Sequence, residues 1–265
     1  THYALCAEAL ASGKHIFVTK PTTLVASQAK ELASTAEKRG LLLHTDHTFL
    51  YSPAVRKLLE IVRSSDFGEI NYIDSVRINL GLFQADTNVI WDLAPHDISI
   101  LNFMMDELPS RVVAQSNAPL INGHEHLAYI SMHYPSGTIA NLHINWLSPV
   151  KVRRTIIGGT KKMAIYDDVE PTEKIRVYSK SVEYSQGDAE LKNRRMIQYR
   201  VGDVSIPFLD NTEALDLECR EFLDAVSRGA QTISSGATGY DVVKICESID
   251  ESLKAGGQPV EIQWN

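Results

Sequence analysis

The spacing of apolar residues along the chain changes about fifty residues from its start. Before that point, two stretches with apolar residues three and four positions apart alternate with two short apolar runs, and Gly13 and Gly40 end the helical stretches. Helix, strand, helix and strand in so short a length indicate a parallel α/β sheet. The predicted elements are helices at 2–12 and 23–40 and strands at 15–18 and 41–45.

Beyond the first fifty residues the pattern favours strands joined by short turns. The sequence PSG at 135–137 and the sequence GGTKK at 158–162 are hairpin signals, and strands connected in this way form antiparallel sheets. Ser52 and Pro53 mark a helix start. Residues 179–210 are polar and indicate an irregular excursion. The predicted strands are 68–80, 111–118, 126–134, 138–147, 152–158, 161–166, 173–178 and 260–264, and the predicted helices are 52–64, 88–105, 211–228 and 238–255.

These two patterns predict two units of different architecture. Residues 1–50 form the end of a doubly wound parallel sheet of the α/β class. Residues 51–265 form an α+β unit with a large, open, mostly antiparallel sheet that carries helices on one face.

Composition narrows the classes of function. The 265 residues are 44% hydrophobic and 22% charged, which is typical of a globular protein, and the formal net charge is −7. With that charge and no long basic run, no nucleic-acid partner is expected. No run of about 18 apolar residues occurs, so we expect no membrane span.

The cysteines and the first residues bear on the compartment. Cys6, Cys219 and Cys246 lie far apart in apolar, helix-like stretches, so we expect buried, reduced thiols and a cytoplasmic location. The opening THYALCAEAL lacks the basic lead of a signal peptide. Because Thr1 already lies in a predicted helix, we expect that a preceding segment is missing.

The apolar stretch NVIWDLAPHDISIL, residues 88–101, carries an acid and an imidazole four positions apart. Positions i and i+4 of a helix share one face, so Asp92 and His96 point the same way. Pro95 fits best in a first turn, which predicts that Asp92 caps the helix. The carboxylate would then orient the imidazole for proton transfer at a cleft. In the alternative, Asp92 only caps the helix and His96 is a buried, hydrogen-bonded histidine without a catalytic role. These residues taken alone favour this alternative.

Lys20 and Pro21 follow a predicted strand directly. In an open parallel sheet ligands gather at the carboxyl ends of strands, so the lysine is placed to reach a bound ligand. The proline fixes the turn and is compatible with a cis bond. Taken alone, the pair is more commonly a surface lysine before a loop proline.

Three polar residues, His44, Asp46 and His47, crowd the end of the next predicted strand. Histidine and aspartate are metal ligands, but on a strand His44 and Asp46 share one face and His47 lies on the other. We therefore expect no metal and place His47 at the cleft, in contact with substrate. No G-x-G-x-x-G phosphate loop occurs, and the glycines of SGATGYD, 235–241, follow no strand.

Two motifs carry a resemblance to a known family: GKHIFVTKP at 13–21 and WDLAPHDISIL at 91–101. With LLLHTDHTFLYSPAVRKL between them, they resemble, in order and over the whole chain, the Gfo/Idh/MocA oxidoreductases, the group of glucose-fructose oxidoreductase and inositol dehydrogenase. The resemblance implies a Rossmann domain, partial here at 1–50, and a substrate and oligomerisation domain at 51–265. It also implies hydride transfer between NAD or NADP and a sugar, nucleotide-sugar or cyclitol carbon.

The resemblance assigns roles to five residues. The family's E-K-P motif falls on Thr19, Lys20 and Pro21, which are the implied cofactor contacts, and its D-x-x-x-H motif falls on Asp92 and His96. His96 is the implied general acid/base, Lys20 binds the reacting oxygen, and Asp92 orients and polarises. The resemblance implies that Lys20, Asp92 and His96 also contact substrate. Thr19 stands where the motif has glutamate, which alters or weakens the cofactor contact.

Aromatic and basic residues give further substrate clues. Lys151 and Arg153 share one face of a predicted strand and Arg154 faces the other; they suit a phosphate or uronate, but a solvated or inter-subunit sheet face is favoured. Apolar residues at alternate strand positions fit a homodimer or homotetramer through the open sheet. The aromatic candidates for stacking on a sugar, each with a core position as the favoured alternative, are Tyr51, Phe83, Trp91 and Trp146.

Three functions remain open from the sequence. The presence of Lys20, Asp92 and His96 together favours the oxidoreductase with a small-molecule sugar substrate. The absent glycine loop favours a non-catalytic sugar-binding or structural relative. A metal-dependent hydrolase built on His44, Asp46 and His47 is the third and least supported.

Overall fold

A computed structural model of the protein describes residues 1–81, 87–116, 124–179, 182–184, 197–199 and 202–264. The helices are α1 (His2–Ala11), α2 (Ala26–Lys38), α3 (Pro53–Val62), α4 (Val89–Met104), α5 (Ala214–Arg228) and α6 (Gly236–Lys254), with a 3-10 helix at Thr48–Tyr51. The strands are β1 (Ile16–Thr19), β2 (Leu43–Asp46), β3 (Ile70–Leu80), β4 (Arg111–Ser116), β5 (Leu127–His133), β6 (Ile139–Asn145), β7 (Leu147–Gly159), β8 (Met163–Asp167), β9 (Ile175–Tyr178), β10 (Val182–Tyr184), β11 (Ile197–Tyr199), β12 (Val204–Ser205) and β13 (Val260–Glu261).

Strands β1 and β2 form a small parallel sheet. Thr19 pairs with Asp46 at its carboxyl end, so the residues that follow the two strands meet at one edge. α1 and α2 pack beside the sheet, and Leu10 and Leu32 belong to the small apolar core between them. The predicted helix–strand–helix–strand order is confirmed.

The large sheet has nine strands in the described ranges, in the order β12-β9-β8-β7-β3-β6-β5-β4-β13. β3 and β6 are parallel, and the other neighbours are antiparallel. The hairpin signals at 135–137 and 158–162 join β5 to β6 and β7 to β8, and Gly137 has φ 93°, which glycine adopts readily. The predicted fold class, a parallel sheet followed by a large, mostly antiparallel one, is confirmed.

α6 and the residues before it join the small sheet to the rest of the molecule. α6 packs against α2 on one side and against α4 and β4 on the other. Residues just before α6 also extend the small sheet: the amide of Thr45 donates to the carbonyl of Ser234 at 3.0 Å, and His44 and Ser235 form an antiparallel bridge. The division near residue 50 stays a prediction.

The start of α4 differs from the prediction. Asn88 caps the helix, because its side-chain oxygen accepts hydrogen bonds from the amides of Ile90 and Trp91, both at 3.1 Å. The prediction that Asp92 is the cap is therefore wrong. Pro95 lies inside the helix, and its missing N–H deprives the carbonyl of Trp91 of its usual intrahelical donor.

Two smaller predictions also need correction. Within 179–210, which was predicted to be irregular, β10 pairs with β11 and β12 joins the edge of the large sheet. The sequence did not reveal these strands because two or three residues are too few to show an alternating pattern. Cys219 is exposed on α5, whereas Cys6 and Cys246 are buried as expected. Among the described helices, none is both long and apolar enough to cross a bilayer.

Candidate active site

Lys20 connects the two parts of the molecule. It follows β1 directly and begins a cis peptide bond to Pro21. Its ammonium nitrogen lies 2.5 Å from the carbonyl oxygen of Asp92 and 3.3 Å from Oδ1 of the same residue, although the two residues are 72 positions apart. The lysine is therefore a partly buried contact between the small sheet and α4, not a freely solvated surface charge.

The carboxylate of Asp92 is held from two sides. Oδ1 faces Lys20, and Oδ2 accepts a hydrogen bond at 3.0 Å from the indole Nε1 of Trp146. Trp146 is buried between β6 and β7, where a Cβ added at Gly81 would come within 2.5 Å of its ring. Within the described ranges Asp92 makes no hydrogen bond to His96, so the expectation that this carboxylate orients the imidazole is not met.

His96 lies one helical turn beyond Asp92 on the same face of α4. Its ring meets Phe49 edge to face with centroids 5.2 Å apart, and its Nδ1 is buried without a hydrogen-bond partner among the described residues. Burial lowers the pKa of His96 well below 6.5, and the charges of Arg77 and Lys20 lower it further. The imidazole is therefore neutral near pH 7, the state that accepts a proton.

His47 lies deeper than the sequence suggests. Only 1% of its surface is exposed, and its Nδ1 lies 2.9 Å from the hydroxyl of Ser234. Burial lowers its pKa to about 3, and the neighbouring His44 adds to the effect. A substrate contact of His47 stays a prediction, and the ring has little surface with which to make it.

His44 is committed to other partners than a metal. Its two ring nitrogens lie 2.9 Å from the carboxylate of Glu218 and 2.9 Å from the hydroxyl of Thr232. Both His44 and Glu218 are fully buried, and burial raises the pKa of the Glu218 carboxyl. The described residues contain no group of three potential ligands placed to hold a metal.

A cavity of about 500 Å³ opens beside the ammonium of Lys20. Among the described residues, Thr19 and Pro21 line one wall and Trp91 and Asp92 of α4 line the other. His96 is not part of this described lining. A larger cavity of about 690 Å³ lies between α3 and α5, where side chains of both signs are mixed. The other residues that line the cavity at Lys20 are Thr1, His2, Tyr3, Thr23, Leu24, Gln28 and Thr87.

The aromatic candidates are core residues where the structure describes them. Tyr51, Trp91 and Trp146 are buried, as the favoured alternative held, and Phe83 lies outside the described residues. Sequence reasoning missed that Trp146 donates to a site residue. No local signal reveals this contact, because Trp146 and Asp92 are 54 positions apart.

β7 carries three basic residues, Lys151, Arg153 and Arg154, and the two arginines lie on opposite faces of the sheet. Arg153 contacts the ring of Phe49 and pairs with Asp168 at 3.2 Å, on the face that packs on the helices. Arg154 pairs with Asp167 at 2.8 Å on the other face, and Lys151 is exposed. The predicted placement of Arg153 and Arg154 on opposite faces agrees with these contacts, and the face that Lys151 occupies stays a prediction.

Two family models match the chain. Residues 1–47 match the oxidoreductase family with an NAD-binding Rossmann fold, and residues 55–165 match the GFO/IDH/MocA C-terminal domain. Together the matches span more than half of the chain. The chain belongs to the GFO/IDH/MocA family of oxidoreductases. This confirms the resemblance that the motifs at 13–21 and 91–101 indicated.

Similar proteins agree with this assignment. The UDP-N-acetylglucosamine 3-dehydrogenase of Acidithiobacillus ferrooxidans is 25% identical over 96% of this chain and 76% of its own length. The 1,5-anhydro-D-fructose reductase of Ensifer adhaerens is 23% identical over 96% of this chain and 74% of its own.

Solved structures extend the likeness to the fold. That of the Acidithiobacillus enzyme has a TM-score of 0.81 at 24% identity, covering 97% of this chain and 77% of its own. GenD2 from gentamicin A biosynthesis, in complex with NAD, has a TM-score of 0.79 at 19% identity, covering 100% of this chain and 76% of its own. At these identities the likeness demonstrates the fold alone.

Proposed function

We propose that the protein transfers hydride between the nicotinamide of NAD or NADP and a hydroxyl-bearing carbon of a sugar, nucleotide sugar or cyclitol. One observation carries the proposal: Lys20, at the carboxyl end of β1, contacts Asp92 of α4 beside a cavity. This contact supports the proposal because it joins the end of β1, within the residues that match the Rossmann family model, to the helix that carries His96. The relatives named for UDP-N-acetylglucosamine and 1,5-anhydro-D-fructose support a substrate of the sugar type.

Each polar group has a separate role in the proposal. Hydride leaves a hydroxyl-bearing carbon only as the hydroxyl proton is removed, so a base has to stand within reach of that proton. We assign this role to His96, and we assign to Lys20 the binding of the reacting oxygen and the stabilisation of its developing negative charge. Asp92 holds the ammonium in place through its carbonyl and Oδ1. His47, buried near Lys20, supports this arrangement and reaches substrate only through its exposed edge.

The residues at the end of β1 fit the nicotinamide end of a dinucleotide. The hydroxyl of Thr19, the ammonium of Lys20 and the amide of Gln28 line the cavity beside the ring of Pro21, a mixture suited to ribose hydroxyls and a flat ring. When bound, the cofactor supplies the acceptor or donor of hydride. The chain spans about three quarters of the Acidithiobacillus relative, so the complete set of cofactor contacts is part of the proposal.

Turnover of the intact protein tests the assignment. We expect reduction of NAD⁺ or NADP⁺ with a member of a panel of UDP-sugars, dTDP-sugars and inositols, and a fall in kcat of about 10²–10⁴-fold in His96→Ala. His133→Ala, at the end of β5, is the matched control and should keep wild-type activity. Turnover that is unchanged in His96→Ala would remove this residue from the mechanism. Wild-type protein that binds sugars without turnover would instead indicate a non-catalytic relative.

We also infer that two copies pair through the outer face of the large sheet. Tyr72, Tyr129 and Ile139 are each more than a third exposed on this face, and the ring of Tyr129 stacks on that of His143 at 4.5 Å. Exposed apolar and aromatic groups on neighbouring strands are typical of an interface. A homodimer, or a homotetramer built from such dimers, would cover them.

A further inference from the structure

Two arginines face each other on neighbouring strands beside His96. In the antiparallel pairing of β3 and β7, Arg77 lies directly opposite Arg153. Two positions earlier on β3, the hydroxyl of Ser75 donates to Asp97 of α4 at 2.8 Å, so this face of the sheet packs on the helix that carries His96. Like charges directly across a sheet destabilise it, and a pair in this position needs an explanation.

One aromatic ring brings both guanidinium groups close to the imidazole. The centroid of the Phe49 ring lies 4.7 Å from Cζ of Arg77, 5.8 Å from Cζ of Arg153 and 5.2 Å from the ring centroid of His96. All three groups therefore surround a single side chain.

The carboxylates near the two arginines balance them unequally. Arg77 has Asp97 as its partner, with Nε 2.5 Å from Oδ2, and both side chains are buried. Arg153 Nη1 lies 3.2 Å from Asp168, but that carboxylate also faces Lys174 at 4.0 Å. In the described part of the chain, the three cations Arg77, Arg153 and Lys174 thus share the two carboxylates of Asp97 and Asp168. The cluster carries an excess of positive charge.

Three buried nitrogen atoms of the cluster have no hydrogen-bond partner in the part of the chain that the structure describes. They are Nη1 of Arg77, Nε of Arg153 and Nδ1 of His96. Buried polar atoms without a partner are uncommon in native proteins, and the two guanidinium N–H groups, which can only donate, indicate an absent acceptor. The side chain of Arg77 is 4% exposed and that of Arg153 is 30% exposed, so Arg153 is the one that a ligand reaches first.

We propose that Arg153, backed by Arg77, binds an oxyanion on the same sugar as the carbon that reacts at His96. This inference rests on the proposed function and narrows its substrate to sugar acids or sugar phosphates, including nucleotide-linked ones. The planar fork of a guanidinium matches a carboxylate or a phosphate, and the surplus positive charge is neutralised only by an anion. A neutral sugar leaves both needs unmet.

Binding rather than turnover provides the test. Isothermal titration calorimetry of the intact protein uses glucuronate, glucose 1-phosphate and UDP-glucose as anionic probes and glucose as the neutral one. At least one anionic probe should bind about tenfold or more tightly than glucose. Preference for glucuronate identifies a carboxylate, and preference for the other two identifies a phosphate. Anionic probes that bind no more tightly than glucose overturn the proposal.

Substitutions locate the effect on the sheet. Arg153→Gln should abolish the preference for the anionic probe, and Arg154→Gln, one residue further on the opposite face, should keep it. Equal losses in the two variants overturn the proposal. If Arg153→Gln does not fold, Arg153→Lys replaces it: loss of the fork should weaken the anionic probe, and an unchanged affinity overturns the proposal.

The same measurements separate this inference from the oxidoreductase assignment. Protein without turnover that still loses the anionic probe in Arg153→Gln leaves the subsite standing and removes the proposed function. Protein that turns over sugars with equal affinity for glucose and the anionic probes leaves the function standing and removes the subsite.

Discussion

Asp92 differs from the other polar groups of the site because both of its carboxylate oxygens already have partners. One faces Lys20 and the other accepts from Trp146. A carboxylate held on both oxygens keeps a fixed orientation, and a substrate contact of Asp92 stays a prediction. Asp92 holds the ammonium of Lys20 at the cavity, and the indole of Trp146 contributes indirectly by holding the carboxylate of Asp92.

Trp146→Phe tests this positioning role. Removal of the indole N–H leaves Oδ2 of Asp92 without its donor, so the ammonium of Lys20 loses its fixed position, and we expect kcat to fall by about tenfold or more while KM changes little. Steady-state kinetics with the preferred sugar measure the split. The control is Trp264→Phe, which loses an indole bond to the carbonyl of Pro109. A loss of thermal stability with kcat intact would leave Trp146 as a packing residue only.

For single residues, the sequence predicted which residues are candidates for the site better than it predicted the contacts that they make. The i, i+4 spacing of Asp92 and His96 placed them on one face of a helix, and the position of Lys20 after a strand placed it at a sheet edge. The donor to Asp92 and the orphaned nitrogen of Arg77 were not predictable. Both depend on strands paired across distant parts of the chain, and no local periodicity encodes that pairing.

α4 illustrates how the cap of a helix escapes a sequence pattern. The apolar pattern predicted a helix at 88–105, close to the observed Val89–Met104, but the expectation that Pro95 lies in the first turn after a cap at Asp92 was wrong, because Asn88 caps the helix and the helix continues through the proline. The apolar face of α4 is buried along most of its length, and this packing outweighs the hydrogen bond that the proline removes. Turn signals were more reliable, because a glycine with positive φ, such as Gly137, is a local requirement.

α6 carries a pH-dependent contribution to stability. Burial raises the pKa of Asp241 from 3.8 to about 6 in the folded protein. Because the folded pKa lies above the unfolded one, the stability linked to this group is fully present below about pH 4 and is lost as the pH rises through about 6. Asp241→Asn should therefore raise the free energy of unfolding by about 1–2 kcal/mol at pH 8 and not at pH 4.

Urea denaturation at the two pH values measures the difference. Asp224→Asn, on the exposed surface of α5, is the control and should change little at either pH. Equal stabilisation by Asp241→Asn at both pH values would show that the carboxyl is not held in its neutral form by the fold.

For the whole molecule, the fold class was predictable from the sequence, but the order of the strands in the large sheet was not. Hairpin signals fix which neighbouring strands pair, and they gave β5 with β6 and β7 with β8. The central position of β3, parallel to β6 and antiparallel to β7, requires long crossovers that turn residues do not specify. The opposition of Arg77 and Arg153 follows from that order, so it lay beyond prediction as well.

The outer face of the large sheet gives a prediction at this scale. In a symmetric pair each copy presents the same patch to its partner, so a charge added at Tyr129 is introduced into both sides of the interface. Tyr129→Arg should convert the wild-type dimer or tetramer to monomer in size-exclusion chromatography with light scattering. Leu223→Arg, exposed on α5, should leave the assembly intact. Monomeric wild-type protein would contradict the prediction.

The pairing of Ser234 and Ser235 along β2 has a consequence for synthesis. The ribosome makes β1 and β2 long before Ser234 and Ser235, the residues that complete the edge of their sheet. Until then the nascent chain presents an unpaired strand edge, the kind of surface that chaperones cover and that neighbouring chains join. The candidate site residues at this sheet edge are therefore expected to align only after Ser234 has been made, and a chain released before that point carries the sequence motifs of the site without the completed sheet.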